Sequence, residues 1–319
     1  MKQNIINAIA GFDSSKKVSV GFDGYIDRIL RVRQHDAQGN RYIETIRQFG
    51  SYLLEKAGKS CSLELQQTVE KAGGNMPNYA AALSRLDVKV TCIGALGWPG
   101  VHPLFRDALK GCELFSMGQP GKSDALEFRD GKVMLAHNQD IDALDYPTFS
   151  SRVNPRMVAQ SFADADLMAF FNWSEMKGAT SIWAGLCDLI VERAGRPIHM
   201  LVDFSDCSGR SKEEILEIIE VLRRYQKVFS LYYSLNLNEA EDVARKLEIG
   251  ADTPQGLARA LFRRLQPEAV AIHLINGCVF ANKEQEGFVP NRMIERPTIL
   301  TGGGDNFNAG FSFGLLLGL

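Results

Sequence analysis

Apolar residues run in short blocks along this chain, and the spacing inside each block predicts an element. "KKVSVGFDGYID" (16–27) predicts a first buried strand ending in a polar, glycine-containing turn. In "YIETIRQFGSYLLEKAGK" (42–59), Ile43, Ile46, Phe49, Leu53 and Leu54 recur near helical spacing. "SLELQQTVE" then alternates in part as a strand does, through Leu63, Leu65 and Val69. "NMPNYAAALSRL" is helical, with Pro77 tolerated in its first turn, and "VKVTCIGALG" is a strand. "DALEFRDGKVMLAH" predicts a hairpin turning at Asp130-Gly131.

From about residue 150 the pattern changes. Helical stretches alternate with the short apolar strands "ADLMAFF", "IHMLVDF", "KVFSLYYSL" and "AVAIHLI". That alternation predicts a doubly wound, mostly parallel α/β sheet flanked by helices. The amphipathic hairpins before it do not fit inside such a sheet. They predict a small β-sheet lid, its strands within about 28–71 and 112–140, on a single domain spanning 1–319. The chain closes on "ILTGGGDNFNAGFSFGLLLGL", read as a buried strand end at Ile299 and Leu300, a glycine turn, and a buried helix.

Composition narrows the class. The chain has 319 residues, 45% apolar and 23% charged, with net charge −2, which points away from nucleic acid and anionic membranes. No apolar run reaches transmembrane length, and the first residues lack a signal-peptide pattern. Six scattered cysteines without a Cys-x-x-Cys read as reduced thiols, so a cytoplasmic location is expected. The five histidines show no zinc-ligand spacing.

Candidate chemistry sits at predicted strand ends. "SMGQPGKS" (116–123) is one residue from a P-loop, but a strand and hairpin follow instead of a helix, so it reads as a surface turn. "GFDGYID", "AGGNMPNYAAALSRL", "LNLNEAEDVARKL" and "TGGGDNFNAGF" together bring Asp27, Asn78, Asn238, Glu241 and Asp305 towards one cleft. The bland alternatives are helix caps at Asn78 and Asn238, a solvated Glu241, and turn residues at Asp23 and Asp27. Asp203 and Asp206 in "LVDFSDCSGR" also follow a strand, and Trp173 reads as core packing rather than a stacking platform.

These segments resemble the PfkB-family carbohydrate kinases of the ribokinase-like superfamily. Gly73-Gly74-Asn75-Met76-Pro77-Asn78-Tyr79-Ala80 resembles the family's first signature. "TGGGDNFNAGF" resembles the Gly-Ala-Gly-Asp turn with Gly303 in place of alanine, and Asn238-Glu239-Ala240-Glu241 resembles its Asn-x-x-Glu motif. The order of the three fits, and the resemblance covers nearly the whole chain. It implies an enzyme that transfers the γ-phosphate of ATP to a hydroxyl of a small sugar or related alcohol. Asp305 is then the expected base, and Gly302, Gly303 and Gly304 the anion hole. Asp27, Gly73, Gly74 and Asn78 are expected at the sugar. Asn238 and Glu241 are expected to hold Mg²⁺ through its water shell.

The chain also departs from that family. Ile299 and Leu300 replace an Asp-Thr pair, which leaves monovalent-cation dependence open. "GALGWPG" lacks an acid between its glycines, Ile275 stands where glycine is common, and the segment between Asp27 and Gly73 carries a helical insertion. The sequence ends fourteen residues past Asp305, short of the helices that usually help wall the adenine. The expected partners are a sugar and ATP, with a homodimer through the lid. A second reading is a sugar- or nucleotide-binding regulator that keeps the fold without turnover. A nicotinamide oxidoreductase would want Gly-x-Gly-x-x-Gly after the first strand, and "GFDGYID" is not one.

Overall fold

The structure is a computed structural model and describes residues 2–36, 39–292 and 302–319. The strand end expected at Ile299 and Leu300 lies outside these residues.

An N-terminal helix α1 (Lys2–Ala10) precedes strand β1 (Lys17–Phe22), whose residues after Lys17 are all buried. The chain then turns through Asp23-Gly24 into β2 (Tyr25–Asp36), β3 (Gly39–Tyr42), α2 (Ile46–Glu55) and β4 (Glu64–Gly73). Helix α3 (Asn75–Ser84) leads to β5 (Lys89–Gly94), α4 (Pro103–Ala108) and β6 (Glu113–Ser116). A hairpin of β7 (Gly121–Phe128) and β8 (Gly131–His137) follows, then three helices: α5 (Gln139–Asp142), α6 (Tyr146–Arg152) and α7 (Pro155–Ala163). The alternating half is β9 (Leu167–Phe171), α8 (Ala179–Val191), β10 (His199–Asp203), α9 (Lys212–Gln226), β11 (Ser230–Asn236), α10 (Leu237–Lys246), α11 (Pro254–Leu265) and β12 (Ala269–Leu274). Strands β13 (Gly277–Asn282) and β14 (Glu286–Pro290) come next, and α12 (Gly303–Leu316) closes the described chain.

Among the described residues nine strands form one sheet in the order β14-β13-β12-β11-β10-β9-β1-β5-β6, its neighbours paired parallel except β12 with β13 and β13 with β14. The chain leaves β1 in one direction through β5 and β6, and in the other through β9 to β12. The topological switch point is therefore the crevice beyond the carboxyl ends of β1 and β9, where open α/β sheets bind ligands. Core packs on both faces of this sheet. Phe22, Phe162, Phe170, Trp183 and Tyr225 lie in one cluster, and Val20, Met76, Tyr79, Leu83 and Phe171 in the other.

Five strands form the separate small sheet, in the order β3-β2-β7-β8 with β4 paired to the other edge of β2. The predicted lid range includes β6, but β6 pairs with β5 and belongs to the large sheet. The hairpin turn also falls one residue earlier than expected. Phe128 pairs with Gly131, so Arg129-Asp130 is the two-residue loop, and Gly131 opens β8 at φ +151. Helix α2 covers one face of the small sheet, packing Ile46 and Phe49 on Leu30, Val32, Leu126 and Phe128. A capping box fixes its start: Thr45 accepts from the Gln48 N–H while the Gln48 side chain accepts from the Thr45 N–H.

Candidate active site

The site is assembled at the carboxyl ends of β1, β9, β10, β11 and β12, the last two running a little beyond the others. Asp23 follows β1 and is fully buried. Its carboxylate accepts from the N–H of Asn75 and of Met76, both at 2.8 Å, and from Asn172 Nδ2 at 2.9 Å. It therefore satisfies the free first-turn donors of α3 from outside the helix. Burial pushes its carboxyl upward, opposed by these hydrogen bonds. Gly74 supplies the N-cap at φ +100, and a side chain there would meet Asp23 Oδ2 at 2.6 Å. At Gly73 a Cβ would collide with the carboxylate of Asp27 instead. Each of these adjacent glycines admits a different acid.

Asp27 itself lies in β2, paired with Lys71 of β4 and Ser123 of β7. It belongs to the small sheet rather than to the turn after β1. Its carboxylate accepts no hydrogen bond among the described residues, and burial raises its pKa against the pull of Lys71 and Lys132. It faces a cavity of about 380 Å³ that it shares with Tyr25, Asn75, Ser123, Met134, Asn172, Glu175, Ser205 and Glu239. Asn75 reaches across this space, its Nδ2 donating to Ser205 Oγ at 2.8 Å. Burial raises the Glu175 carboxyl, while Asn138 Nδ2 donates to it at 3.2 Å. Asn172 and Ser205, just beyond the ends of β9 and β10, take left-handed conformations, φ 58° and 62°. Non-glycine residues held there are uncommon and cluster at functional sites.

Asp305 sits in the first turn of α12, only 8% exposed. Burial holds its carboxyl well above the usual carboxylate range, and Asn78 Nδ2 opposes this by donating to Oδ2 at 2.8 Å. Asn78 thus holds Asp305, whereas the sequence pointed it at the sugar. A second rung, from the Tyr79 hydroxyl to Ser312 Oγ at 2.8 Å, fixes α12 on α3. The three glycines before Asp305 have separate reasons. Gly302 caps α12 at φ +81; a Cβ on Gly303 would meet open space; one on Gly304 would press His273 Cε1 at 3.1 Å. The first-turn N–H groups have no acceptor within their own helix and carry the positive end of its dipole.

Beside this turn lies a cavity of about 840 Å³, lined by Leu237, Asn238, Pro254, His273, Ile275, Val289, Gly303, Gly304 and Phe307 among others. Its walls are largely apolar, and the glycine turn stands at one end. The expected metal residues divide here. Asn238 lines this cavity, but Glu241 lines a separate hollow with Arg245, Asp252 and Thr253. The acid that reaches the centre is Glu239, in an overlapping Asn-x-x-Glu frame that starts at Asn236. Asn236 caps α10 by accepting from the Glu239 N–H, and donates its own N–H and Nδ2 to the Glu239 carboxylate at 2.8 and 2.5 Å. Burial, then the nearby Asp203, push Glu239 up to about 8. Burial raises Asp203 to about 6 and lowers His273 to about 4. Trp173 is fully buried against Phe204 and Arg210, in the core as expected.

A switch-point crevice, a buried carboxylate in the first turn of a glycine-led helix, and an apolar cavity beside that turn define a sugar-kinase architecture. The chain belongs to the prokaryotic ketohexokinase family, whose model matches residues 8–319, and with it to the PfkB-type carbohydrate kinases. It is similar to a ketohexokinase of Haloferax volcanii, 27% identical over 308 residues, covering 95% of this chain and 82% of that protein. Among solved structures it is similar in fold to a ribokinase of Thermotoga maritima, with TM-score 0.64, 15% identity and coverage of 95% and 86%. It is likewise similar to an adenosine kinase of Sinorhizobium meliloti, with TM-score 0.65, 17% identity and coverage of 94% and 87%. The chain is an ATP-dependent carbohydrate kinase. Among the described residues no helix is long and apolar enough to cross a membrane.

Proposed function

We propose that this chain phosphorylates a ketohexose, taking ATP as donor, with Asp305 as the general base. The supporting observation is the placement of Asp305: buried, held by Asn78, and in the same turn as the free N–H groups of Gly303 and Gly304. The sugar occupies the cavity under the small sheet. Asp27, which has no other partner among the described residues, accepts two neighbouring hydroxyls, while Asn75 and Glu175 hold the far side. The phosphates lie along the α12 N-terminus, and the adenine takes the apolar cavity between Leu237, Ile275 and Phe307.

In this reading Asp305 accepts the hydroxyl proton as the oxygen attacks. The first-turn N–H groups and the helix dipole stabilise the charge on the transferring group. Gly303 leaves that approach open. Glu239 and Asp203 fit a divalent cation: their carboxylates crowd together, Asn236 orients the first of them, and no Lys or Arg among the described residues forms an ion pair with either acid. Mg²⁺ bound there would supply charge neutralisation for the nucleotide's phosphates. The small sheet would join two copies of the chain through β4, which exposes Leu65 and Val69 and, among the described residues, pairs with β2 alone.

The test is a panel of ketohexoses, aldohexoses, pentoses and nucleosides assayed for sugar-dependent ADP release. Preference for a ketohexose is expected; a pentose or nucleoside preferred by tenfold or more would overturn the assignment. No feature of the described residues favours a binding protein without turnover.

A further inference from the structure

Three strand or helix ends meet where the sugar cavity and the nucleotide cavity adjoin. Asp203 ends β10, Glu239 lies in the first turn of α10, and His273 lies near the end of β12. One ligand atom from each falls within 4.8 Å of the other two. Glu239 lines the sugar side, and His273 lines the nucleotide side.

His273 Nε2 is buried and has no hydrogen-bond partner among the described residues. A buried ring nitrogen without a partner costs stability unless something occupies its lone pair. Its ring is held in place on both sides: Phe307 lies at 5.1 Å between centroids, and the backbone of Gly304 approaches so closely that a Cβ there would stand 3.1 Å from Cε1.

The two acids are already oriented by other groups. Asp203 Oδ1 accepts from the Ser205 N–H at 2.8 Å, and Oδ2 from Asn308 Nδ2 at 2.7 Å. The Glu239 oxygens accept from the backbone and the side chain of Asn236. Each carboxylate oxygen keeps a second lone pair. Carboxylates fixed by such outer hydrogen bonds are what metal sites use to aim their ligands.

We propose that Asp203, Glu239 and His273 bind one divalent cation directly, and that the imidazole makes the site prefer Mn²⁺, Co²⁺ or Zn²⁺ over Mg²⁺. An imidazole nitrogen suits those ions, whereas Mg²⁺ favours oxygen and water. Ligand atoms about 3–4 Å apart surround an ion with bonds of about 2.0–2.2 Å, so the observed cluster needs only a small inward shift. Three protein ligands leave positions open towards both cavities. The site differs from one built on Asn-x-x-Glu alone, because its third ligand comes from β12.

The site is tested on the whole chain, stripped of metal and free of nucleotide and sugar, so the result does not depend on the kinase reading. Mn²⁺ binding is followed by calorimetry and by loss of the free-ion electron paramagnetic resonance signal. Co²⁺ binding is followed by its visible absorption bands, which report nitrogen coordination. One Mn²⁺ per chain is expected, with Mg²⁺ displacing it only at large excess. His273→Ala is expected to weaken Mn²⁺ about tenfold or more and to change the Co²⁺ bands. Glu239→Gln, which keeps the shape of the side chain, is expected to weaken Mn²⁺ as well and serves alone if His273→Ala does not fold. No Mn²⁺ bound to the parent chain would overturn the proposal, as would His273→Ala with unchanged Mn²⁺ affinity and Co²⁺ bands. Failure of ketohexose phosphorylation with the binding intact would overturn only the proposed function.

Discussion

Asn78 and Asp305 stand 227 residues apart in sequence, and the side chain of one donates to the other across 2.8 Å. The bond crosses from α3 to α12 and, among the described residues, is the favourable contact that opposes the burial of Asp305. A carboxylate so deeply buried ionises reluctantly, and a base must be ionised to accept a proton. Activity is therefore expected to fall as pH drops through the raised pKa of Asp305, so the acid limb of kcat/KM lies above the ordinary carboxylate range. Removing Asn78 removes a contact that favours the charged form. Asn78→Ala is expected to move that limb to still higher pH and to lower kcat by about 10–100-fold through misplacement of the base. A limb unmoved in Asn78→Ala would reduce the bond to a structural rung.

Asp305→Asn keeps the shape and the Asn78 contact but cannot accept the proton. Turnover is expected to drop by about 10²–10⁴-fold, with sugar and ATP still bound in calorimetry. A turnover near that of the parent would mean that Asp305 only shapes the α12 turn.

Asp27→Ala is expected to weaken sugar binding by about 1.5–3 kcal/mol while nucleotide binding holds. Gly73→Ala should do the same without touching any hydroxyl, because its methyl group displaces the Asp27 carboxylate. Sugar titrations of both variants check the pair, and an unchanged affinity in Asp27→Ala takes that acid out of the sugar cavity.

Glu239→Gln and Glu241→Gln separate the two Asn-x-x-Glu frames. The first is expected to raise the divalent-cation requirement of the kinase reaction; the second, in its own hollow, should leave the cation titration curve in place. The opposite ranking would restore the 238–241 frame.

Asp23→Ala should cost stability rather than chemistry. It strands two backbone donors of α3 and the Asn172 amide in a buried place, a loss of about 2–4 kcal/mol. Thermal melting measures it, and a parental melting temperature would show that those donors find other partners.

Much of the fold was legible because burial leaves a period. The alternating apolar strands after residue 150 each became a strand of the parallel sheet, and the Ile46–Phe49 spacing became α2. The glycines at 73–74 and 302–304 were legible as motifs, although the reason for each, an acid, a turn, an opening or a ring, is spatial. The sequence pointed to the 238–241 frame where the proposed one starts at Asn236, because "NLNEAE" holds two Asn-x-x-Glu patterns two residues apart. Only the cap made by Asn236 decides which glutamate turns inward. Asn172, Glu175 and His273 carry no periodic signal: Asn172 follows an apolar run, Glu175 comes three residues after Asn172, and His273 interrupts "AVAIHLI". The cysteines are unpaired in the structure, in keeping with their scattered spacing.

The last residue of β4 is Gly73 and the first of α3 is Asn75, so Gly74 alone separates the small sheet from the helix that carries Asn78. Mechanically the two are one lever with a single-residue fulcrum. In the proposed reaction, a tilt of the sheet over its ligand would pass to α3, and from there through the Asn78 amide to the carboxylate that takes the proton. A water molecule in the cavity fills too little of it to press on that lever. Such a coupling would discriminate against spilling ATP into solvent, and the ratio of ATP hydrolysis without sugar to transfer with it would measure how well the fulcrum works.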